Sequence, residues 1–520
     1  MTTPKPKLLL IGLSIGCSGE APPLTSGGEA LYQDGADEMY SPEDGATSAG
    51  AELGDYAPEV EDDLLGLKPA STSEYVFVAN PDRNTVTRIT VPSLAALTTN
   101  VGVRPIAIAV TPDNETAVSF NMNSNDLSII DAATLEVQTV GVRAGRNEMS
   151  MSPDGQWVIC YFNQDSDELG SQAGGAQSFN DISLVNIKTL EHFPMVVGEN
   201  PHGVHFSASG ELAIVVSDSY LSRIDLTQDT PEPEHIQITE DLVNPPVAEE
   251  VVLAPNGKSA VVRQFGATHL VHVDLETLTT SPLDVGENPT DLDITPDGSE
   301  LVAVARTASQ LWLYDLDDPF GEATILDLPE DTVFGAIMLS PDNTQGILYS
   351  TASGESLFAS WERETNEVVL RDLVKPIQSV GISPTGGTAV ISHSAFNGYD
   401  VEPGSPYYSK PALSLIDLDN FFSTALALPA EPKEFAHTPD GQTGFFVMDR
   451  QPFLEVLDFE TLIHEEIELK SNPVHLGTLL DTDTAYISQE HSLGRISFFH
   501  PSDGELQTIT GFELNANIEK

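Results

Sequence analysis

The chain has 520 residues, with 80 Asp and Glu against 22 Lys and Arg and a formal net charge of −58. Charged residues make up only 20% of it, so the imbalance reflects scarce bases as much as added acids. Such a chain lacks the cations needed to displace counterions from nucleic acid, and it repels anionic headgroups. Nucleic acid is therefore set aside as a partner, while cations, cationic partners and neutral glycans remain. A hydrophobic fraction of 40% is ample for a core, and the length suits two or three average domains or one large all-β domain.

The N-terminus carries Lys5 and Lys7, an apolar run from Leu8 to Ile15, then Gly16 and Cys17. A basic start, a short apolar stretch and a small residue before the cut mark a secretory signal over residues 1–16. The run falls short of the ~20 residues that span a bilayer. Ser14-Ile15-Gly16-Cys17 resembles a bacterial lipobox, with Ser14 where the pattern usually has Leu, and this implies lipidation at Cys17. Cys160 is the one other cysteine, which excludes a disulfide framework and a Cys-based cluster; it reads as a buried strand residue. Residues 17–73 are rich in Gly, Ser, Ala, Pro and acids, with Lys68 their only base, and read as a disordered tether.

From residue 74 onward a turn signature recurs. Ser/Thr-Pro-Asp followed by Gly or Asn stands at Thr111–Asn114, Ser152–Gly155, Thr295–Gly298, Ser340–Asn343 and Thr438–Gly441. Looser copies lie at Ala254–Gly257 and Ser383–Gly386, with degenerate ones near Ser207–Gly210 and Asp481. Pro presets the second turn position and Asp-Gly the polar and left-handed corners, so each copy joins two strands. Short alternating strands flank every turn, four to a unit of roughly forty residues, and no helical period survives. Four-stranded units at this spacing are propeller blades.

The repeat resembles that of the YVTN-type β-propeller family over residues 74–520. Tyr75-Val76-Phe77-Val78-Ala79-Asn80 is similar to its opening, and Asp131 with Thr134-Leu135, Asp274 with Thr277-Leu278 and Asp458 with Thr461-Leu462 to its third-strand ending. Val197-Gly198-Glu199-Asn200-Pro201 recurs letter for letter at Val285–Pro289. The resemblance implies fold far more than activity. Nine first-to-second-strand turns follow the strands of residues 74–103, which lack a first strand of their own. The expectation is an all-β chain forming one propeller of about ten blades, closed by pairing the C-terminal segment from Phe512 to Ile518 with the N-terminal strands. Seven or eight blades with extra strands outside is the alternative count.

The first strand of each blade lines the central channel, and aligning these strands on their turns places Glu148, Glu250, Asp291 and Glu434 in one column and Asp293 in the next. Acids at one level of a ring either recruit a cation, Ca²⁺ by their all-oxygen chemistry, or stand solvated in a water-filled channel. His202 and His205, like His269 and His272, are spaced to point to opposite strand faces and read as structural. The stretch Asn163, Asp165, Asp167, Glu168 begins like a calcium loop but has Ala176 where the closing acid belongs. Two units swell between second and third strands, at about 163–181 and 393–411. The second insertion carries Phe396, Tyr399, Tyr407 and Tyr408, rings that either form a recognition surface or fold back over the blade edge.

No G-x-S-x-G, P-loop, G-x-G-x-x-G, H-E-x-x-H or C-x-x-C-H motif is present. The leading expectation is a monomeric, non-enzymatic binding scaffold, a lipoprotein of the outer membrane that touches the membrane only through its anchor. Its partner would be a protein or glycan on the loop face. The alternative is a Ca²⁺-dependent hydrolase resembling propeller lactonases, with the column acids holding the metal.

Overall fold

The computed structural model describes residues 70–164, 180–329, 332–352, 354, 356–399 and 401–512. The expected signal segment, Cys17, nearly all of the tether, most of the first insertion and everything after Phe512 lie outside these residues.

Ten sheets follow one another along the chain. Nine contain four consecutive antiparallel strands, as in blade 2: Pro105–Val110, Thr116–Asn121, Asp126–Asp131 and Val137–Gly141. Blade 1 has Tyr75–Asn80, Thr85–Thr90 and Ala95–Asn100, and its open inner edge is met by Ser71, which bridges Val76. Blades 3 to 10 open with the first strands Glu148–Met151, Gly203–Phe206, Ala248–Leu253, Pro289–Ile294, Ala336–Leu339, Ser379–Ile382, Pro432–His437 and Pro473–Thr478. The architecture is a ten-bladed β-propeller, as the turn count indicates. No helix among the described residues is long and apolar enough to cross a membrane.

The core lies between blades rather than in one centre. Second strands such as Leu212–Val216 and Trp157–Tyr161 are buried at every position because each faces both neighbouring blades. They therefore read as continuous apolar runs, not as the alternation expected of a half-exposed strand. Fourth strands are the exposed rim. An apolar cluster fills each interface: Ile159, Leu184, Val204 and Phe206 join blades 3 and 4, and Phe358, Val380 and Ile391 join 7 and 8. Val76 and Ile89 pack on Tyr486, Phe498 and Phe512, joining blade 1 to blade 10. Ser71 Oγ adds a hydrogen bond to Thr478 O at 2.9 Å, so the segment before blade 1 reaches the first strand of blade 10, while the expected pairing of the stretch from Phe512 to Ile518 falls outside the described residues. Cys160 is fully buried between blades 2 and 3, and burial pushes its thiol pKa up.

The repeated motifs have local causes. In the turn at Thr295, the carbonyl accepts Gly298 N at 2.7 Å, while Oγ1 donates to Asp297 Oδ1 at 2.7 Å and accepts Glu300 N at 3.0 Å. Thr111, Ser152, Ser340 and Thr438 bond Asp113, Asp154, Asp342 and Asp440 in the same way. Gly298 has φ +74°, and a Cβ there would stand 2.6 Å from Pro255 of the preceding blade. The turns between first and second strands thus stack blade on blade around one face of the ring. In the Asp-x-x-Thr-Leu ending, Asp131 Oδ1 accepts both Ala133 N and Thr134 N, and Leu135 closes the bend at φ 62°. Leu190, Leu278 and Leu462 share that left-handed backbone, which costs an L-residue about 1–2 kcal/mol. Their side chains pack on the interface clusters, which offsets the strain. The Val-Gly-Glu-Asn-Pro motif is the crossing from one blade to the next. A Cβ on Gly198 would sit 2.6 Å from Ser217, and Asn200 takes φ 56°.

Gly298→Ala should destabilise the fold by about 1–2 kcal/mol or more, read from urea unfolding, through the left-handed backbone and the crowded Pro255 ring. Hydrogen bonds from Thr295 and then Ser299 pull the Asp297 pKa down to about 2, from 3.8. The stabilisation from this group is complete above the unfolded value and is lost as pH falls from about 4 towards 2. Asp297→Ala should flatten that part of the acid limb in melting curves while lowering stability at neutral pH.

Candidate functional site

Two places could carry function: the inner column of acids, and the face formed by fourth-to-first and second-to-third connections.

The inner strands of blades 2, 5, 6, 9 and 10 each contain a register shift just before the column position, at Pro105/Ala107, Ala248/Glu250, Pro289/Asp291, Pro432/Glu434 and Pro473/His475. A bulge re-aims the side chain that follows it, and here the carboxylates reach sideways along the ring. Glu250 Oε2 accepts Leu292 N at 3.1 Å, Asp291 Oδ2 accepts Ile337 N at 2.6 Å, and Glu434 Oε2 accepts Leu476 N at 2.6 Å. In all three the donor belongs to the first strand of the next blade. Each acid is a clasp across a blade interface.

The environments of the three differ. Arg263 Nε donates to Glu250 Oε2 at 2.9 Å and its Nη1 to Glu249 Oε2 at 2.5 Å. Burial, followed by repulsion from Asp291, nevertheless holds the Glu250 pKa well above the ordinary carboxylate value, with Asp293 adding to the rise. Glu434 Oε1 instead receives His475 Nδ1–H at 2.7 Å. Glu148 lies opposite Tyr161 in blade 3 and raises the pKa of that phenol, after burial. The structure thus brings Glu250, Asp291 and Asp293 within electrostatic reach of one another and leaves Glu148 and Glu434 on other blades. Among the described residues, no group of three or more His, Cys, Asp and Glu side chains is placed to hold a metal ion.

The paired histidines serve the frame. His202 joins Asn200 O to Ala248 O of the next blade, and burial lowers the pKa of His205 to about 4. His269 and His272 lie on one third strand, and His272 packs edge-on against Phe320. Of the calcium-like stretch, residues 165–179 lie outside the described residues.

The insertion at 393–411 is built around a lysine. Lys375, in the connection between blades 7 and 8, is fully buried, and its Nζ donates to Lys410 O at 2.7 Å and Tyr407 O at 3.2 Å. Burial pulls its pKa down. His393, also fully buried, donates from Nδ1 to Pro376 O at 2.9 Å, so Nε2 is the acceptor for Ser414 Oγ at 2.8 Å. Burial holds this imidazole neutral, with its pKa near 4. Asn397 braces the two limbs of the loop through both Ser409 N and Ser409 Oγ. On this base Tyr399 is 82% exposed and Phe396 61%; Tyr408 is also exposed, while Tyr407 is half-buried with its hydroxyl on Ala425 O. Tyr399 N bonds Gly354 O of blade 7, so the loop leans on its neighbour.

No family model and no curated protein matches the chain. Solved structures do. The dihydro-heme d1 dehydrogenase NirN in complex with DHE is 14% identical, with a TM-score of 0.45 over 78% of this chain and 77% of that one. A eukaryotic initiation factor is 12% identical, with a TM-score of 0.49 over 74% and 94%. The Kuenenia stuttgartiensis hydrazine synthase is 17% identical, with a TM-score of 0.29 over 60% and 97%. At these identities the likeness says nothing of what this chain binds or does.

Sequence reasoning placed the aromatic loop but missed Lys375 and His393, which hold it. Nothing in the sequence around Lys375 distinguishes a buried lysine from a surface one. It also missed the clasps, which depend on a bulge that the alignment of turns cannot register.

Asp291→Ala should cost about 1–3 kcal/mol in urea unfolding by leaving the buried Ile337 N–H unpaired. Asp291→Asn, which keeps an acceptor oxygen, should cost less.

Proposed function

We propose that the chain is a non-enzymatic binding scaffold, a YVTN-type propeller lipoprotein anchored in the cell envelope through Cys17, whose partner docks on the 393–411 loop. The exposure of Phe396, Tyr399 and Tyr408 on a loop locked by Lys375 and His393 carries this reading. Aromatic rings give large contact area at little entropic cost, and a loop already fixed in shape loses less freedom on binding. The partner is a protein or a glycan, since the acidic surface disfavours nucleic acid and anionic lipid.

The competing reading is a Ca²⁺-dependent hydrolase with the column acids as its ligands; after burial, Asp291 and Asp293 do raise the pKa of Glu250, but no three such side chains among the described residues are placed around a metal position. Elemental analysis of the purified chain, with melting curves in EDTA and in calcium, separates the two. A stoichiometric divalent ion whose removal lowers the Tm, lost with Glu250→Ala and Asp291→Ala, would favour the hydrolase.

The loop is best tested by point substitution, because deleting it strips Lys375 of its carbonyl partners. Phe396→Ser with Tyr399→Ser should abolish capture of glycans on an array, or of cross-linked envelope proteins, with a Tm within a degree or so of the wild type. Capture unchanged by the pair would remove the loop from the function. Cys17→Ala should move the protein from the membrane fraction to the soluble one.

A further inference from the structure

A second surface lies on the same face, between blades 4 and 5. The connection of residues 238–247 is longer than any other described fourth-to-first crossing. Both its ends are tied to one corner: Gln264 Nε2 donates to Ile238 O at 3.3 Å, and Phe265 N donates to Val247 O at 2.9 Å. The chain therefore rises from that corner as an arch and returns to it. At the crown, Asp241 Oδ1 accepts Val243 N and Asn244 N, both at 3.0 Å, which fixes the bend from within. Ile238 is buried at its base, and the arch turns Leu242, Val243 and Val247 outward beside Phe265 of the adjoining turn. Val243 is 85% exposed and Phe265 57%, and Leu242 and Val247 are each more than half exposed.

A loop that presents three apolar residues to water, with a fourth on the adjoining turn, marks an interaction site. The surroundings select the partner. His202 Nε2 contacts Ala248 O at 3.2 Å, which sets the crossing at 197–202 beside the arch, and Asp218 N bonds Glu199 O. Glu199, Asp218, Glu240 and Asp241 lie on these segments, and residues 197–202, 217–219, 238–247 and 264–268 contain no Lys or Arg. Aliphatic side chains offer a sugar no hydrogen bond, and the acids repel anionic headgroups. We infer that the arch of residues 238–247, with Phe265, docks a basic polypeptide segment that carries apolar side chains. The site shares no residue with the 393–411 loop, three blades away, and stands or falls separately from it.

The test uses the full chain and three fluorescein-labelled peptides of equal length, alternating Leu/Lys, Ser/Lys and Leu/Glu, with anisotropy read at physiological salt. The wild type should bind the Leu/Lys peptide at least about tenfold more tightly than the Ser/Lys peptide, and the Leu/Glu peptide hardly at all. Leu242→Ser, Val243→Ser and Phe265→Ser together should erase that tenfold preference with little change in Tm, because all three side chains are exposed. Phe396→Ser with Tyr399→Ser should leave it intact. Equal binding of the Leu/Lys and Ser/Lys peptides would reduce the effect to bulk charge and overturn the site, as would a preference that survives the triple substitution. A wild-type dimer in sedimentation that the triple variant dissolves would overturn it in favour of a second copy of this chain. Binding to phosphatidylcholine vesicles, lost in the same variant, would overturn it in favour of a lipid surface.

Discussion

The middle strands of each blade are apolar on both faces, so no blade can shield its own core from water. Each must be covered on two sides, and a linear stack would leave two apolar faces exposed at its ends. Closing the row into a ring removes both ends, which is what the cluster joining blade 1 to blade 10 achieves. Large side chains such as Trp361, Tyr349, Phe206 and Phe446 sit in these interfaces, each contributing about 1.5–3 kcal/mol or more of transfer free energy. The channel side and the rim are then free to carry polar groups.

Once the apolar faces force neighbours together, directional contacts set the angle between them. The turn glycine of one blade rests on the proline or aspartate of the preceding turn, as Gly298 does on Pro255 and Gly210 on Asp154. On the inner strands, Glu250, Asp291 and Glu434 bond forward to the next blade. One set of contacts points back along the chain and the other points forward, and where both occur, as between blades 5 and 6, the interface is fixed at the turn and at the inner strand.

Much of this was legible in the residues. The Ser/Thr-Pro-Asp-Gly turns, the Asp-x-x-Thr-Leu endings and the Val-Gly-Glu-Asn-Pro crossings are local devices whose chemistry is complete within a few residues, and counting them led to ten blades. The insertion at 393–411 and its four aromatic rings were legible too, because a long insertion in a regular repeat has to leave the frame, but which rings point outward and which, like Tyr407, fold back was not. The direction of the column acids was not. It depends on a one-residue bulge, and a slip of one residue in a strand turns a side chain to a different neighbour. Glu455 shows the same limit: it occupies a third-strand position held by Ser128, Ser183 and Ser414 in other blades, and burial, then Glu466, raise its pKa to about 7. Nothing in the turn pattern forecasts a carboxyl there.

The anchorage of the aromatic loop has a further consequence. The chain carries few bases, and one of them, Lys375, is held by two backbone carbonyls. Surface ion pairs weaken as dissolved ions gather around them, whereas a buried ammonium on fixed carbonyl dipoles is far less screened. The shape of the loop is therefore insulated from ionic strength, and an acidic protein of this kind can keep one surface constant from dilute medium to brine.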